Sequence, residues 1–254
     1  MTPYSAYIIC GTPRSGSTLL CEMLAASGVA GRPHSFFRQE SILHWADSWG
    51  VPHPDGIETV AFDRAYLEAM LQTGRGGTDI FGLRLMAASV ADANRRLDRV
   101  AGSPGDVTQR FAEAFGPVLY INLSRGDTVA QAVSLVRAEQ SGLWHLAADG
   151  SVLEGAAELR PMVYDGDRIA TLVRELASDN AAWGAFFAAH GITPLRLTYE
   201  SVTAEPQAAL ATVLGALGQD PEIAQTVAVP TAKMASGASR QWAEKFRGDR
   251  SSGL

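Results

Sequence analysis

Residues 6–28 constrain this chain more than any other stretch. Ala6 to Cys10 (AYIIC) is a short apolar run that reads as a buried strand. Gly11 to Gly16 is a loop. From Ser17 onward Leu19, Leu20, Met23 and Leu24 recur at helical spacing until Gly28, a stop signal. A strand, a glycine-bearing loop and a helix in that order bring successive backbone N–H groups to a helix N-terminus, where they form an anion-binding nest. Residues 11–18 read GTPRSGST, whereas a nucleotide triphosphatase loop reads G-x-x-x-x-G-K-[ST]. Gly11, Gly16 and Thr18 keep that spacing, but Ser17 stands in the lysine position. The ammonium that neutralises β- and γ-phosphates is therefore missing, and Arg14 supplies the positive charge from inside the loop. Ser15, Ser17 and Thr18 add hydroxyls. Without a ligand, the same residues amount to a serine-rich helix cap.

The rest of the chain continues the alternation. Ile80–Met86 (IFGLRLM), Val118–Leu123 (VLYINL) and Pro194–Leu197 read as strands. Helices are expected over Thr59–Gln72, Ala87–Val100, a stretch carrying Val129, Val133, Leu135 and Val136, then Asp167–Ala189 and Gln207–Leu217. Gly31–His53 reads as irregular and 147–165 as an insertion or loop. Strands alternating with helices imply an α/β fold, a mainly parallel sheet of phosphate-loop type with helices on both faces. Ligands gather in such sheets at the strand C-terminal edge, where the loops after Cys10 and Leu123 both open. The 254 residues suffice for one domain, 1–254.

The net charge of -6 argues against a nucleic-acid partner. The two cysteines, Cys10 and Cys21, read as small core residues, neither a disulfide nor a metal site. With no signal-like N-terminus and no apolar run near the ~18 residues of a membrane span, the chain reads as cytoplasmic.

The run from Thr12 to Leu20 (TPRSGSTLL) resembles the 5′-phosphosulfate loop of sulfotransferases, and most closely the bacterial Stf0 group. That resemblance runs from about Tyr7 to Phe246. It implies a 3′-phosphoadenosine 5′-phosphosulfate donor, no metal, a homodimer, and sulfuryl transfer to a hydroxyl of a small-molecule, carbohydrate or glycolipid acceptor. The loop chemistry agrees: a phosphosulfate carries less charge than a metal-bound triphosphate, so Arg14, Ser15, Gly16, Ser17 and Thr18 suffice to hold it. The family's 3′-phosphate site is an Arg at a strand end and a Ser on the following helix, matched here by Arg125 and Ser134. A weaker match near the C-terminus, with Lys233, Gly237, Arg240 and Trp242, is similar to the family's nucleotide-covering loop.

On the acceptor side, the resemblance points to Pro13 and to the loop Arg32-Pro33-His34-Ser35-Phe36-Phe37. The corresponding loop in the family carries a glutamate just before the Phe-Phe pair, and that glutamate is the general base. Ser35 stands there, and a serine is a poor base near neutral pH. His34, with a reference pKa of about 6.5, is the substitute, with Glu40 and His44 in reserve. Neighbours in extended chain point to opposite sides, which sets His34 against Ser35. Arg32, Pro13, Ser35, Phe36 and Phe37 are the expected acceptor contacts, and the loop's arginines favour an anionic or amphipathic acceptor. Arg84, a charge inside the strand IFGLRLM, needs a partner. The phosphosulfate at the sheet edge is one outlet and a structural salt bridge another. Two rival readings stand: a Mg²⁺-dependent small-molecule kinase, which the missing lysine disfavours, and a nucleotide-binding relative that has lost its base.

Overall fold

The computed structural model describes residues 3–54, 56–146, 152–155, 162–230 and 237–251. Strand β1 (Ala6–Gly11) is buried at every position and is followed, after the loop, by α1 (Ser17–Ala26). Helix α2 (Ile42–Trp49) lies inside the stretch expected to be irregular. It is closed by Gly50 at φ 66°, a left-handed cap that glycine adopts at little cost. Next come α3 (Val60–Arg75), β2 (Phe81–Met86) and α4 (Val90–Ala101), the last preceded by a 3₁₀ turn over Ala87–Ser89. Helix α5 (Val107–Phe115) was not legible in the periodicity. Asp106 caps it, its carboxylate accepting hydrogen bonds from the backbone N–H groups of Thr108 and Gln109.

Strand β3 (Val118–Ser124) leads into α6 (Thr128–Ser141). Strand β4 (Leu143–Leu146) pairs antiparallel with β5 (Val152–Gly155), the latter inside 147–165, the region read as an insertion. Helix α7 (Gly166–Ala189), β6 (Leu195–Thr198), α8 (Tyr199–Ala204), α9 (Pro206–Ala216) and α10 (Gly237–Ser251) complete the order.

The main sheet has four strands in the order β2-β1-β3-β6, all parallel. Along β1, Ala6, Ile8 and Cys10 face one core with Phe62, Tyr66, Phe111 and Trp183, while Tyr7 and Ile9 face another with Leu20, Leu24, Leu210 and Val213. That alternation, apolar on both faces, is the signature of a parallel sheet covered on both sides. A third cluster joins Val133 and Val136 of α6 to Ile169 and Leu172 of α7 and Phe246 of α10. The register sets Gly11 beside Met86 and Leu123, and Ser124 beside Thr198. All four strands therefore end at one edge. Among the described residues no helix is long and apolar enough to cross a membrane.

Candidate active site

The loop after β1 is held from three sides. The Trp183 indole N–H donates to the Gly11 carbonyl at 2.9 Å. The Gln131 amide of α6 donates to Thr12 Oγ1 at 2.8 Å and to the Pro13 carbonyl at 2.6 Å. Gly16 is the N-cap of α1 at φ 85°, with no side chain capping the helix. A Cβ there would lie 3.1 Å from the Tyr199 ring. Arg14 adopts φ 63°, alone among the described non-glycine residues, a conformation costing roughly 1–3 kcal/mol. Its side chain is pinned where it lands: Nε donates to Ser134 Oγ at 3.0 Å and Nη1 to the Trp144 carbonyl at 2.5 Å.

The second anion group lies against the first. Arg125 follows β3, and its Nη1 donates to the Arg14 carbonyl at 3.2 Å. Its guanidinium stacks 4.0 Å from the centre of the Tyr199 ring, the first residue after β6. Burial pushes the Arg125 pKa below its ordinary value, with Tyr199, Asp127 and Glu200 opposing. Arg125 Nε and Ser15 Oγ are buried with no hydrogen-bond partner among the described residues. Buried polar atoms are rarely left in that state, and an anion between Arg125 and the loop satisfies both. Arg14, Ser15, Gly16, Ser17, Thr18, Arg125 and Ser134, over a hundred residues apart in sequence, thus form one cleft edge. Gln131, Trp183 and Tyr199, which hold it, carried no motif that marked them beforehand.

Beside Thr18 opens a cavity of about 280 Å³, lined by Thr18, Cys21, Glu22, Pro33, His34, Ser35, Arg38, Ser41, His44, Trp45 and Arg84. Arg84 bridges the cavity and the phosphate loop. Its Nε donates to Ser35 Oγ and its Nη1 to Thr18 Oγ1, each at 2.8 Å. Of the two outlets expected for this charge, a salt bridge is not the one seen: Arg84 makes no ion pair with a described residue and spends its donors on two hydroxyls. His34 and Ser35 both line the cavity despite being neighbours, because the chain here is irregular, tied to β2 by a single parallel bridge between His34 and Leu83. The imidazole of His34 lies 5.3 Å from the Trp45 ring and 5.7 Å from Phe36. Its pKa is lowered by burial first, then by Arg84 and Arg32. Burial pushes the Cys21 thiol up to about 11, so it is an inert wall.

Several expected acceptor contacts lie elsewhere. Phe36 and Phe37 are 0% and 1% exposed and belong to the core under the sheet with Tyr66 and Phe81, so neither ring reaches an acceptor. Arg32 is exposed, its methylenes running over Gly76, and Pro13 sits in the phosphate loop; neither lines the cavity. Of the reserve bases, His44 lines it, whereas Glu40 is exposed and paired with Arg38 at 3.2 Å. Gly237 and Arg240 open α10 beside Ser239, which accepts a hydrogen bond from Arg137 of α6; Lys233 lies outside the described residues. Among the described residues no three His, Cys, Asp or Glu side chains converge as a metal site requires. Glu22, absent from the sequence reading, was findable: it lies one helical turn after Thr18, hence on the same face of α1.

A parallel sheet with a phosphate-type loop after its central strand, carrying serine in place of lysine and an arginine within the loop, and joined to an arginine after β3 and a serine on α6, defines an α/β protein of the phosphate-loop class. The Stf0 sulphotransferase family model matches residues 6–249, and the chain belongs to that family. It is 30% identical to the trehalose 2-sulfotransferase of Mycobacterium tuberculosis over 96% of this chain and 94% of that protein. It is also 30% identical to the trehalose 2-sulfotransferase of Mycolicibacterium smegmatis, over 96% and 95% respectively. The sulfotransferase domain of the Synechococcus PCC 7002 olefin synthase aligns over 95% of this chain and 94% of its own, at 17% identity and a TM-score of 0.45.

Proposed function

We propose that this protein moves a sulfuryl group from 3′-phosphoadenosine 5′-phosphosulfate to a hydroxyl of a carbohydrate or glycolipid acceptor. One observation carries the donor assignment. The nest at Gly11–Thr18 and the Arg125–Ser134 pair touch through Arg14, while Arg125 Nε and Ser15 Oγ stay buried and unpartnered among the described residues. A nucleotide with anionic groups at both its 5′ and 3′ positions is the ligand that suits two adjoining anion sites.

The loop amides, Arg14 and Ser15 hold the 5′ end, and Arg125 with Ser134 holds the 3′-phosphate. The donor supplies a sulfuryl group at the mouth of the acceptor cavity. Arg84, donating to Thr18 and Ser35, is aimed at the oxygens of the group in transit, where positive charge lowers the barrier. His34 accepts the proton of the attacking hydroxyl. A new O–S ester bond forms, the S–O bond to the 5′-phosphate breaks, and the electron pair leaves on adenosine 3′,5′-bisphosphate. The carbohydrate class rests on the two mycobacterial relatives and on the aromatic, polar lining of the cavity, with Trp45 as a stacking surface.

Calorimetric titration with adenosine 3′,5′-bisphosphate tests the donor site. Arg125→Ala is expected to weaken binding by about 1.5–3 kcal/mol, or roughly 10- to 150-fold. An unchanged dissociation constant removes Arg125 from the site. Binding of ATP with Mg²⁺ in place of the bisphosphate removes the sulfotransferase reading.

A further inference from the structure

The acceptor cavity holds a feature that the arginine-rich loop sequence does not suggest. Among the described residues lining it, Glu22 is the one carboxylate. Thr18 and Glu22 are four residues apart on α1, so their side chains share one face, with Cβ atoms about 5–6 Å apart. Thr18 ends the phosphate loop and accepts a hydrogen bond from Arg84, and Glu22 lies one helical turn along α1 from it. Its carboxylate makes no hydrogen bond or ion pair with a described residue. The arginines nearby are engaged elsewhere: Arg84 with Ser35 and Thr18, Arg38 with Glu40.

We propose that Glu22 is the specificity-determining residue of the acceptor cavity: it accepts hydrogen bonds from a hydroxyl adjacent to the one that is sulfated, so the acceptor is an uncharged vicinal diol. This rests on the sulfotransferase reading above and goes beyond it.

Charge and donor counting carry the step. An ionised carboxylate only accepts hydrogen bonds, and beside an anionic donor it repels both that donor and any anionic acceptor. A group bridging Glu22 and the reacting sulfur therefore presents O–H toward both. One hydroxyl attacks and gives its proton to His34. Its neighbour donates to Glu22, a charge-assisted bond stronger than a neutral one. At about 280 Å³ the cavity is just under the usual range of roughly 300–1,000 Å³ for ligand pockets, so it takes one ring or one end of a larger acceptor. An isolated alcohol leaves Glu22 facing the cavity unbonded. An acceptor bearing a phosphate or carboxylate next to the hydroxyl meets like charge. The arginines of the loop sequence had favoured an anionic acceptor. On this proposal Glu22 offsets that preference, since Arg32 faces solvent and Arg38 is paired with Glu40.

The test is transfer from ³⁵S-labelled donor to a panel of three sorts: vicinal diols (glucose, trehalose, inositol), isolated alcohols (hexanol, phenol) and anionic diols (glucuronate, glucose 6-phosphate). Bisphosphate binding is read on the same samples. The wild type is expected to use the uncharged diols. Glu22→Gln is expected to raise KM for the best diol tenfold or more, with bisphosphate affinity unchanged, and to accept the anionic diols relatively better. Loss of bisphosphate binding by the wild type overturns the donor reading. Intact bisphosphate binding overturns the role of Glu22 alone when combined with either of two results: transfer only to isolated alcohols or anionic diols, or a Glu22→Gln KM within twofold of wild type; bisphosphate binding with no transfer to any of the panel overturns the transfer reading and the role of Glu22 together.

Discussion

The imidazole of His34 illustrates how environment sets a proton's destination. Burial disfavours its charged form, and Arg84 and Arg32 repel that form further, so its pKa lies below the ordinary 6.5. That shift favours the uncharged ring, whose lone pair can accept a proton. The acid limb of the kcat/KM profile is accordingly expected below pH 6.5; a limb at or above that value assigns the base to another group. His34→Ala should lower turnover roughly 10²-fold while leaving bisphosphate affinity intact. Linkage gives a second readout. Between the reference value and the lowered folded one, the unfolded chain binds more protons than the native chain, so stability falls as pH drops below about 6.5. Urea midpoints of wild type and His34→Gln should converge as the medium becomes acidic, and parallel curves would show that the native histidine titrates normally.

At the scale of elements, the phosphate loop lets a glycine requirement be tested. Gly16 sits at φ 85° with the Tyr199 ring 3.1 Å from where a Cβ would be. Gly16→Ala adds a left-handed alanine, costing about 1–2 kcal/mol, and pushes on the ring that supports Arg125. The expected outcome is a melting temperature lower by several degrees together with weaker bisphosphate binding; a drop in melting temperature alone would uncouple Tyr199 from the nucleotide site. The elements legible in the sequence were those with local signals of this kind. The β1–loop–α1 unit announced itself through the glycine spacing, and β3 through an unbroken apolar run. Helix α2 did not, because its buried face is only Ile42 and Ala46 with half-buried tryptophans, too short a stripe to show a period. Phe36 and Phe37 misled for a related reason. Two adjacent aromatic residues in a functional loop look like ligand contacts, and only the packing of α3 and β2 over them makes them core. That Arg14, Arg125 and Ser134 meet was legible because anion chemistry limits the residue types. The cavity beside them was legible only in part, through Thr18, His34, Ser35, His44 and Arg84; Cys21, Glu22 and Trp45 join them from α1 and α2, and no single run of sequence records that meeting.

Across the whole molecule, the C-terminal helix connects stability to the proposed donor site. Helix α10 is polar over most of its length and is fastened to α6 by polar contacts among others. Arg247 makes a two-pronged pair with Asp127 at 2.7 and 2.9 Å, and Arg137 donates to Ser239 at 2.7 Å. The exposed pair contributes little on its own, about 0–1 kcal/mol. The apolar anchor is Phe246, 7% exposed and packed with Ala132, Val133 and Val136 of α6 and Leu172 of α7. Val133 adjoins Ser134 in sequence, so the helix that carries the proposed 3′-phosphate serine is braced from behind by this ring. Phe246→Ala removes a buried aromatic at a cost near 3 kcal/mol, the low end for such truncations because a helix at the edge of the fold can relax. For a chain of this size that is a fall in melting temperature of about 6–12 °C. If α10 serves as a brace, bisphosphate affinity falls with it even at temperatures where the variant is fully folded, and saturating bisphosphate restores part of the lost melting temperature. Stability lost with affinity unchanged at 10 °C would show that α10 closes the core without setting the position of Ser134.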